Sequence, residues 1–273
     1  MPTPPAVAAV PPAALPAALE AAAQLLAAAR RGRMPIARLP AASRPTTIAD
    51  ALVVQSRVTA LAGGAVAGWK CALPTAEKTI VAPIFAADFR RASPCAAAWP
   101  AGPAVRVEPE IACVLAADLP PRSTPYTDDE VRAAIGSTHL VLELIGSRYA
   151  DPAGLPFPEL LADNASNAGL FVGPEVAAAF ARELDRFVLR WGIAGEPATV
   201  QDARHPDGHP LRPLTWLANA LPRIPGGERG LVAGDVVTTG SYAGVLDVPA
   251  AVPLTFVFGE LGRIDVELRP EPQ

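Results

Sequence analysis

Two glutamates stand one residue apart in the run VRVEPEIACVL (Val105 to Leu115), and a third, Glu143, interrupts the aliphatic residues of HLVLELIG (His139 to Gly146). Both runs have the composition of β-strands. Strand side chains alternate faces, so Glu108 and Glu110 point the same way, roughly 6–7 Å apart along the strand. Two ionised carboxylates held among apolar residues repel each other, and a basic side chain or a bound cation normally compensates. An isolated E-x-E with a proline between its acids also describes a solvated sheet edge, since charged residues are mostly exposed and proline lacks a ladder donor. Glu143 weakens that alternative, because His139 is the only polar residue sharing its face in LVLELIG. Three acids in apolar strands make a candidate oxygen-ligand site for a hard divalent ion. All-oxygen ligation suits Mg²⁺ or Mn²⁺ better than zinc, which prefers His and Cys.

Lys70 lies in GWKCAL, between a tryptophan and small apolar residues. Such a lysine either snorkels to water or is a partly desolvated amine suited to acid/base work; the segment alone fits both. HPDGH (His205 to His209) spaces two histidines as helical metal ligands are spaced, but Pro206 and Gly208 make it a turn, which argues against that role. ADNASNAGL (Ala162 to Leu170) collects small polar groups that also suit a capped turn. Of three cysteines, Cys95 and Cys71 have no metal-type spacing with Cys113, which alternates onto the face opposite the glutamates and is expected in the core.

The elements that must position these groups are expected as follows. Residues 1–13, rich in Pro and Ala, are expected to be disordered. Leu15, Leu19, Ala22 and Leu26 recur at helical spacing, predicting a helix that ends near Arg31–Gly32 with the basic cluster ARRGR at its C-terminus. Thr47 and Asp50 form a capping box for a second helix that stops at Gly63–Gly64. Residues 1–64 thus make a helical N-terminal region packed on a body over 65–273. There AVAGWKCAL, VAPIFAADF, VRVEPEIACVL and HLVLELIG read as short strands. Thr127 to Glu130 cap a helix, PLTWLANAL is a short amphipathic helix, and AGDVVTTGSYAG is turn, strand and glycine-bracketed loop. VPLTFVFGELGRIDVELRP predicts a terminal hairpin with Leu254, Phe256 and Phe258 opposite Ile264, Val266 and Leu268. With no regular strand–helix alternation, the body is expected to be α+β with a mixed, largely antiparallel sheet.

Composition narrows the function classes. The 273 residues can bury a sizeable core. A net charge of −4 and a pI near 5.5 argue against nucleic acid as a main partner. Hydrophobic content of 51% and a mean hydropathy of +0.27 are high, but alanine inflates both. Prolines break the longest apolar stretch, Ala6 to Ala29, so no membrane span is expected, and the start lacks the basic region of a signal peptide. A cytoplasmic protein is the expectation.

GWK, VEPEIACVL, LELIGSR, ADNASNAGLFVG, GHPLRPLTWLANAL and AGDVVTTGS occur in an order that resembles the 2-keto-4-pentenoate hydratase family, part of the fumarylacetoacetate hydrolase superfamily. The resemblance runs from about Leu15 to the C-terminus. It implies a β-roll or barrel core, a small N-terminal helical region, a homo-oligomer, and a 2-oxo acid as small-molecule partner. It makes Glu108, Glu110 and Glu143 ligands of Mg²⁺ or Mn²⁺ and gives Lys70 and Asp163 catalytic roles. It assigns Arg148, Asn164, Ser166, Thr239, Gly240 and Ser241 to substrate binding. The implied chemistry is hydration of a 2-hydroxydienoate through a metal-stabilised enolate, with Lys70 moving the proton. Two departures bear on that chemistry. Gly146 replaces the family's usual aspartate before Ser147–Arg148, and the segment after Lys70 is short and lacks the family's acidic element, Glu77 lying earlier. Decarboxylation, C–C hydrolysis and ligand binding without turnover therefore stay open beside hydration.

Overall fold

A computed structural model describes residues 15–97, 103–177 and 184–270; the start expected to be disordered lies outside them. Two helices lead the chain, α1 (Ala17–Gly32) and α2 (Ile48–Ala62). The predicted capping box is formed at α2, with Thr47 Oγ1 accepting from Asp50 N–H and the Asp50 carboxylate accepting from Thr47 N–H. Such a cap stabilises a helix by about 1 kcal/mol. Ala22, Ala23, Leu26 and Ala27 of α1 and Ala51, Val54 and Val58 of α2 are buried together with Tyr149 and Leu161 of the body. Gln55 joins helix to body in a second way, donating to the carbonyls of Val81 and Leu161.

The body is built on two sheets. Its strands are β1 (Val66–Cys71), β2 (Val81–Phe85), β3 (Phe89–Arg90), β4 (Cys95–Ala96), β5 (Ala104–Leu115), β6 (Ile135–Ile145), β7 (Asn167–Glu175), β8 (Arg186–Ile193), β9 (Thr199–Arg204), β10 (Val236–Thr238), β11 (Leu246–Pro249), β12 (Pro253–Phe258) and β13 (Arg263–Arg269). Three more helices are α3 (Asp128–Ala134), α4 (Phe157–Ala162) and α5 (Leu211–Ala220). The larger sheet runs β2-β1-β10-β5-β6-β7-β3, with β11 also on β5, and curls into a half-barrel. The smaller runs β4-β13-β12-β8-β9. Pairing is antiparallel except at β1–β10, β3–β7 and β4–β13, so the expected mixed, largely antiparallel α+β body is what forms. The terminal hairpin forms, with Leu254 opposite Val266 and Phe256 opposite Ile264, but Phe258 meets Gly262 at the turn and not one of the three residues expected opposite it. Phe256 and Phe258 are fully buried, and each such side chain contributes about 1.5–3 kcal/mol.

The long strand β5 is not a sheet edge. It is flanked by β6 along most of its length and by β11 and β10 in turn on its other side. The ladder on that second side covers residues 104–107 and 112–114 and is interrupted between them. Pro109 sits in the interruption, where its carbonyl accepts from Tyr242 N–H of the loop between β10 and β11. A strand residue directs its N–H and C=O to the same neighbour, so the donor that proline lacks falls where no ladder bond is needed. Val107 and Ile111 face the smaller sheet, while Cys113, as expected, is buried against α3 and α5. No helix among the described residues is long and apolar enough to cross a membrane.

Candidate metal centre

One face of the half-barrel sheet gathers the acids and the lysine singled out in the sequence. Strand alternation places Lys70 of β1, Thr238 of β10, Glu108 and Glu110 of β5 and Glu143 of β6 on that face. Ile84, Ala112, Val141, Leu170, Val172 and Val236 form an apolar floor beside them. Glu108 lies directly across the ladder from Glu143. One oxygen from each of Glu108, Glu110 and Glu143 lies within 4.8 Å of the others. They are the one such group of three or more potential ligands among the described residues. The acids open onto a cavity of about 890 Å³ that Lys70, Ser166, Gly240 and Ser241 also line.

Each acid is held differently. Glu110 Oε2 accepts from Thr238 Oγ1 and, at 3.1 Å, from Gly240 N–H. Gly240 has φ +123, a backbone conformation that a side chain would strain, and this turn aims its N–H at the carboxylate. Glu143 is fully buried, and its Oε1 accepts from Lys70 Nζ at 2.6 Å and Asn167 Nδ2 at 2.9 Å. Its Oε2 is buried and has no partner in the protein. Burial, then repulsion by Glu143 and Glu108, lifts the Glu110 carboxyl to about 8. Burial and the Glu143 charge raise Glu108 as well. At Lys70 burial pulls the amine down, but Glu143, Glu108 and Glu110 together outweigh it and the net shift is upward.

These features fit a hard cation. An orphaned, buried carboxylate oxygen and two acids forced upward by burial and then by their neighbours describe negative charge in excess of its compensation. Oxygens bonded to one Mg²⁺ or Ca²⁺ at about 2.0–2.6 Å lie no more than roughly twice that apart, and the 4.8 Å spread of the three carboxylates is of that order.

Four residues expected on the cavity wall lie behind it. Arg148 and Asp163 are each 3% exposed and bonded to one another, Arg148 Nε to Asp163 Oδ1 and Arg148 Nη2 to the Asp163 carbonyl. Ser147 Oγ and Arg148 N–H fill Asp163 Oδ2 at 2.8 and 2.9 Å. Thr239 is buried with Oγ1 3.2 Å from His205 Nε2, and Asn164 is buried with both amide atoms unpartnered. The cause for Asn164 is local: residues 164, 165 and 166 all have positive φ (52°, 48° and 60°), a conformation costing roughly 1–2 kcal/mol per residue. This kink carries Ala165 and Ser166 to the wall and brings the Ala165 carbonyl within 3.3 Å of Lys70 Nζ.

Thr238 and Asn167 touch the acids although the sequence reading selects their neighbours instead. Alternation within Val236–Thr238 places Thr238 opposite the core residue Val237, so a signal for it exists. Asn167 meets Glu143 only through the pairing of β6 with β7, which no local pattern announces. HPDGH is a turn as expected, and Asp207 Oδ2 accepts from Leu73 N–H, tying the turn to the segment after Lys70.

No family model matches the chain. It is 29% identical to a curated 2-keto-4-pentenoate hydratase of Paraburkholderia xenovorans over 143 residues, 52% of this chain and 51% of that protein. It is 27% identical to a 2-hydroxyhexa-2,4-dienoate hydratase of Comamonas testosteroni over 164 residues, 59% of each. The chain thus spans only about half the length of the curated relatives it matches. Among solved structures it resembles 4-oxalocrotonate decarboxylase from Pseudomonas putida G7, complexed with magnesium and adipate. The TM-score is 0.72 at 22% identity, covering 92% of this chain and 97% of that one. In sequence the chain is similar to the 2-keto-4-pentenoate hydratases, and its fold is of the fumarylacetoacetate hydrolase type.

Proposed function

We propose that this chain is a divalent-metal-dependent lyase that hydrates a short 2-hydroxydienoate by way of its 2-oxo form. The observation that carries the reading is the convergence of Glu108, Glu110 and Glu143, with Lys70 Nζ 2.6 Å from Glu143, at the wall of one cavity. Glu108, Glu110 and Glu143 would hold Mg²⁺ or Mn²⁺, which when bound offsets their charge and supplies Lewis-acid polarisation to the carboxylate and keto oxygens of a 2-oxo acid. The hydratase names of the curated relatives and the magnesium complexed by 4-oxalocrotonate decarboxylase support the same reading.

The chain's own residues do the rest. Lys70 Nζ, oriented by Glu143 Oε1 and the Ala165 carbonyl and held as an ammonium by the three acids, would give its proton to the substrate carbon and recover one from the 2-hydroxyl. Ile80, Ile145, Phe157, Leu160 and Val245 line the cavity and would receive the hydrocarbon end while excluding bulk water. Lys78 and Arg106 line it too and favour an anionic substrate.

Decarboxylation is the second reading. Apart from the three ligands, no Asp or Glu is among the described residues lining the cavity, so no further carboxylate is there to aim a water. Turnover with added Mg²⁺ or Mn²⁺ over a panel of 2-hydroxydienoates, 4-oxalocrotonate and acylpyruvates, followed by NMR, separates hydration, decarboxylation and C–C cleavage. Lys70→Met is expected to keep Mn²⁺ binding and to slow deuterium exchange at C3 of a bound 2-oxo acid by about 10²-fold or more. Exchange at the wild-type rate in that variant would remove the lysine from the mechanism.

A further inference from the structure

Asn167 opens β7, and its amide donates to the same oxygen of Glu143 that Lys70 takes, leaving Oε2 as the oxygen without a partner. What fixes Asn167 lies outside the cavity. Its carbonyl accepts from Arg148 Nη1 at 2.8 Å and from Arg30 Nη2 at 3.2 Å. Arg148 follows β6, whereas Arg30 reaches in from the last turn of α1, 137 positions away in the chain. Two guanidiniums converging on one carbonyl repel each other, and each has its own counter-charge: Asp163 for Arg148, and Asp88 at 3.0 Å for Arg30. Arg30 also lies over the ring of Phe85, 4.8 Å from its centroid. The backbone is built for this meeting. Gly169, two residues after Asn167, has φ +140, and a side chain there would put its Cβ 2.5 Å from the Asp88 carbonyl oxygen.

We propose that Asn167 is a positioning residue that sets the orientation of Glu143 as a ligand, and that Arg30 extends this support to α1, making the N-terminal helix part of the metal centre. The inference rests on the metal-dependent reading given above. Without the Asn167 amide, Glu143 Oε1 keeps only Lys70, and the carboxylate gains freedom to turn Oε2 away from the other two acids. Partners one shell out from a metal ligand typically change affinity 10–100-fold.

The test is Mn²⁺ affinity of the full chain by titration calorimetry, with thermal unfolding in chelator measured in parallel. Asn167→Ala is expected to bind Mn²⁺ about 10–100-fold more weakly, and Arg30→Met about 3–10-fold more weakly. The double variant should bind no more weakly than Asn167→Ala alone, because Arg30 acts through Asn167. A purely structural role predicts a lower melting temperature with Mn²⁺ affinity within twofold of wild type, and that result in either variant overturns the proposal. Additive losses in the double variant overturn the route from Arg30 through Asn167. Should Asn167→Ala fail to fold, Arg30→Met decides alone. If the wild-type chain binds no Mn²⁺ the metal-dependent reading falls as well, whereas wild-type binding with unaffected variants removes only this inference.

Discussion

Two clusters of buried charge meet at Asn167, and they are balanced in opposite ways. Behind it, Arg30 and Arg148 face Asp88 and Asp163, two cations against two anions. The hydrogen bonds of Arg148 run from Nε and Nη2 to Asp163 and from Nη1 to the Asn167 carbonyl. In front of it, three carboxylates face one lysine, and a carboxylate oxygen is buried without a partner. The residue types are alike and both clusters are largely withdrawn from water. The difference is compensation: the rear cluster closes on itself and needs nothing further, whereas the front one keeps an excess of two negative charges when all its acids are ionised. Burying charge without a partner is strongly unfavourable, so the front cluster is the one whose stability should depend on an added cation.

The largest expected effect on metal binding uses that asymmetry. Glu110→Gln keeps the shape of the side chain and an oxygen for Thr238 and Gly240, but removes a proposed ligand and a charge. Calorimetry should show loss of measurable Mn²⁺ binding. In chelator the variant should be more stable than wild type by on the order of 1–3 kcal/mol, since a carboxyl lifted by burial and by its neighbours opposes folding. Wild type at a Mn²⁺ concentration 100 times its Kd should gain about 2.7 kcal/mol and the variant nothing. Undiminished Mn²⁺ affinity in Glu110→Gln would sink the assignment of the centre.

The matching change in the rear cluster should have the opposite sign. Asp163→Asn leaves Arg148 buried without its counter-charge, and breaking a buried pair in this way costs about 3–5 kcal/mol. The folded protein should still bind Mn²⁺ less than about tenfold more weakly, because Asp163 touches none of the three acids proposed to hold it. Urea unfolding and calorimetry on the same sample separate the two readouts. Full stability combined with lost turnover would instead place Asp163 in contact with the substrate.

What was legible in the sequence was local or periodic. The caps at Thr47–Asp50 and Thr127–Glu130 involve residues three apart, and both form. Alternation put Glu108 and Glu110 on one face and Cys113 on the other, and put Phe256 and Ile264 on the buried face of the terminal hairpin. What was not legible depends on which strands meet. Pro109 suits a sheet edge as well as an internal strand until the break between β10 and β11 is known. Arg148 and Asp163 look like residues of the cavity wall until they are seen paired behind it, and the ARRGR cluster looks like an ordinary helix end until Arg30 is found at Asn167. The left-handed run at residues 164–166 is a further case, since only the tertiary frame holds three non-glycine residues in that conformation.

The smallest effect concerns the turn that backs the glycine loop. His205 is 4% exposed; its Nδ1 accepts from Asp207 N–H at 3.1 Å, and its ring meets Tyr242 edge-on with centroids 5.1 Å apart. Its partner Thr239 stands between Thr238 and Gly240, the two residues that hold Glu110. Burial lowers the imidazole to about 4, with Asp207 opposing the shift. The unfolded chain therefore binds more protons than the folded one between the ordinary histidine pKa of about 6.5 and 4. Stability contributed by neutral His205 is complete above about pH 6.5 and is lost as the pH falls toward 4. Comparing melting temperatures of wild type and His205→Asn across pH 4–7.5 isolates this contribution from the carboxylates, which titrate in both. Wild type should lose on the order of 1–2 kcal/mol more than the variant over that range, solvent screening included. Parallel curves would mean that the turn stays closed around a charged imidazole, and that the frame behind Glu110 tolerates a cation the rear cluster does not supply.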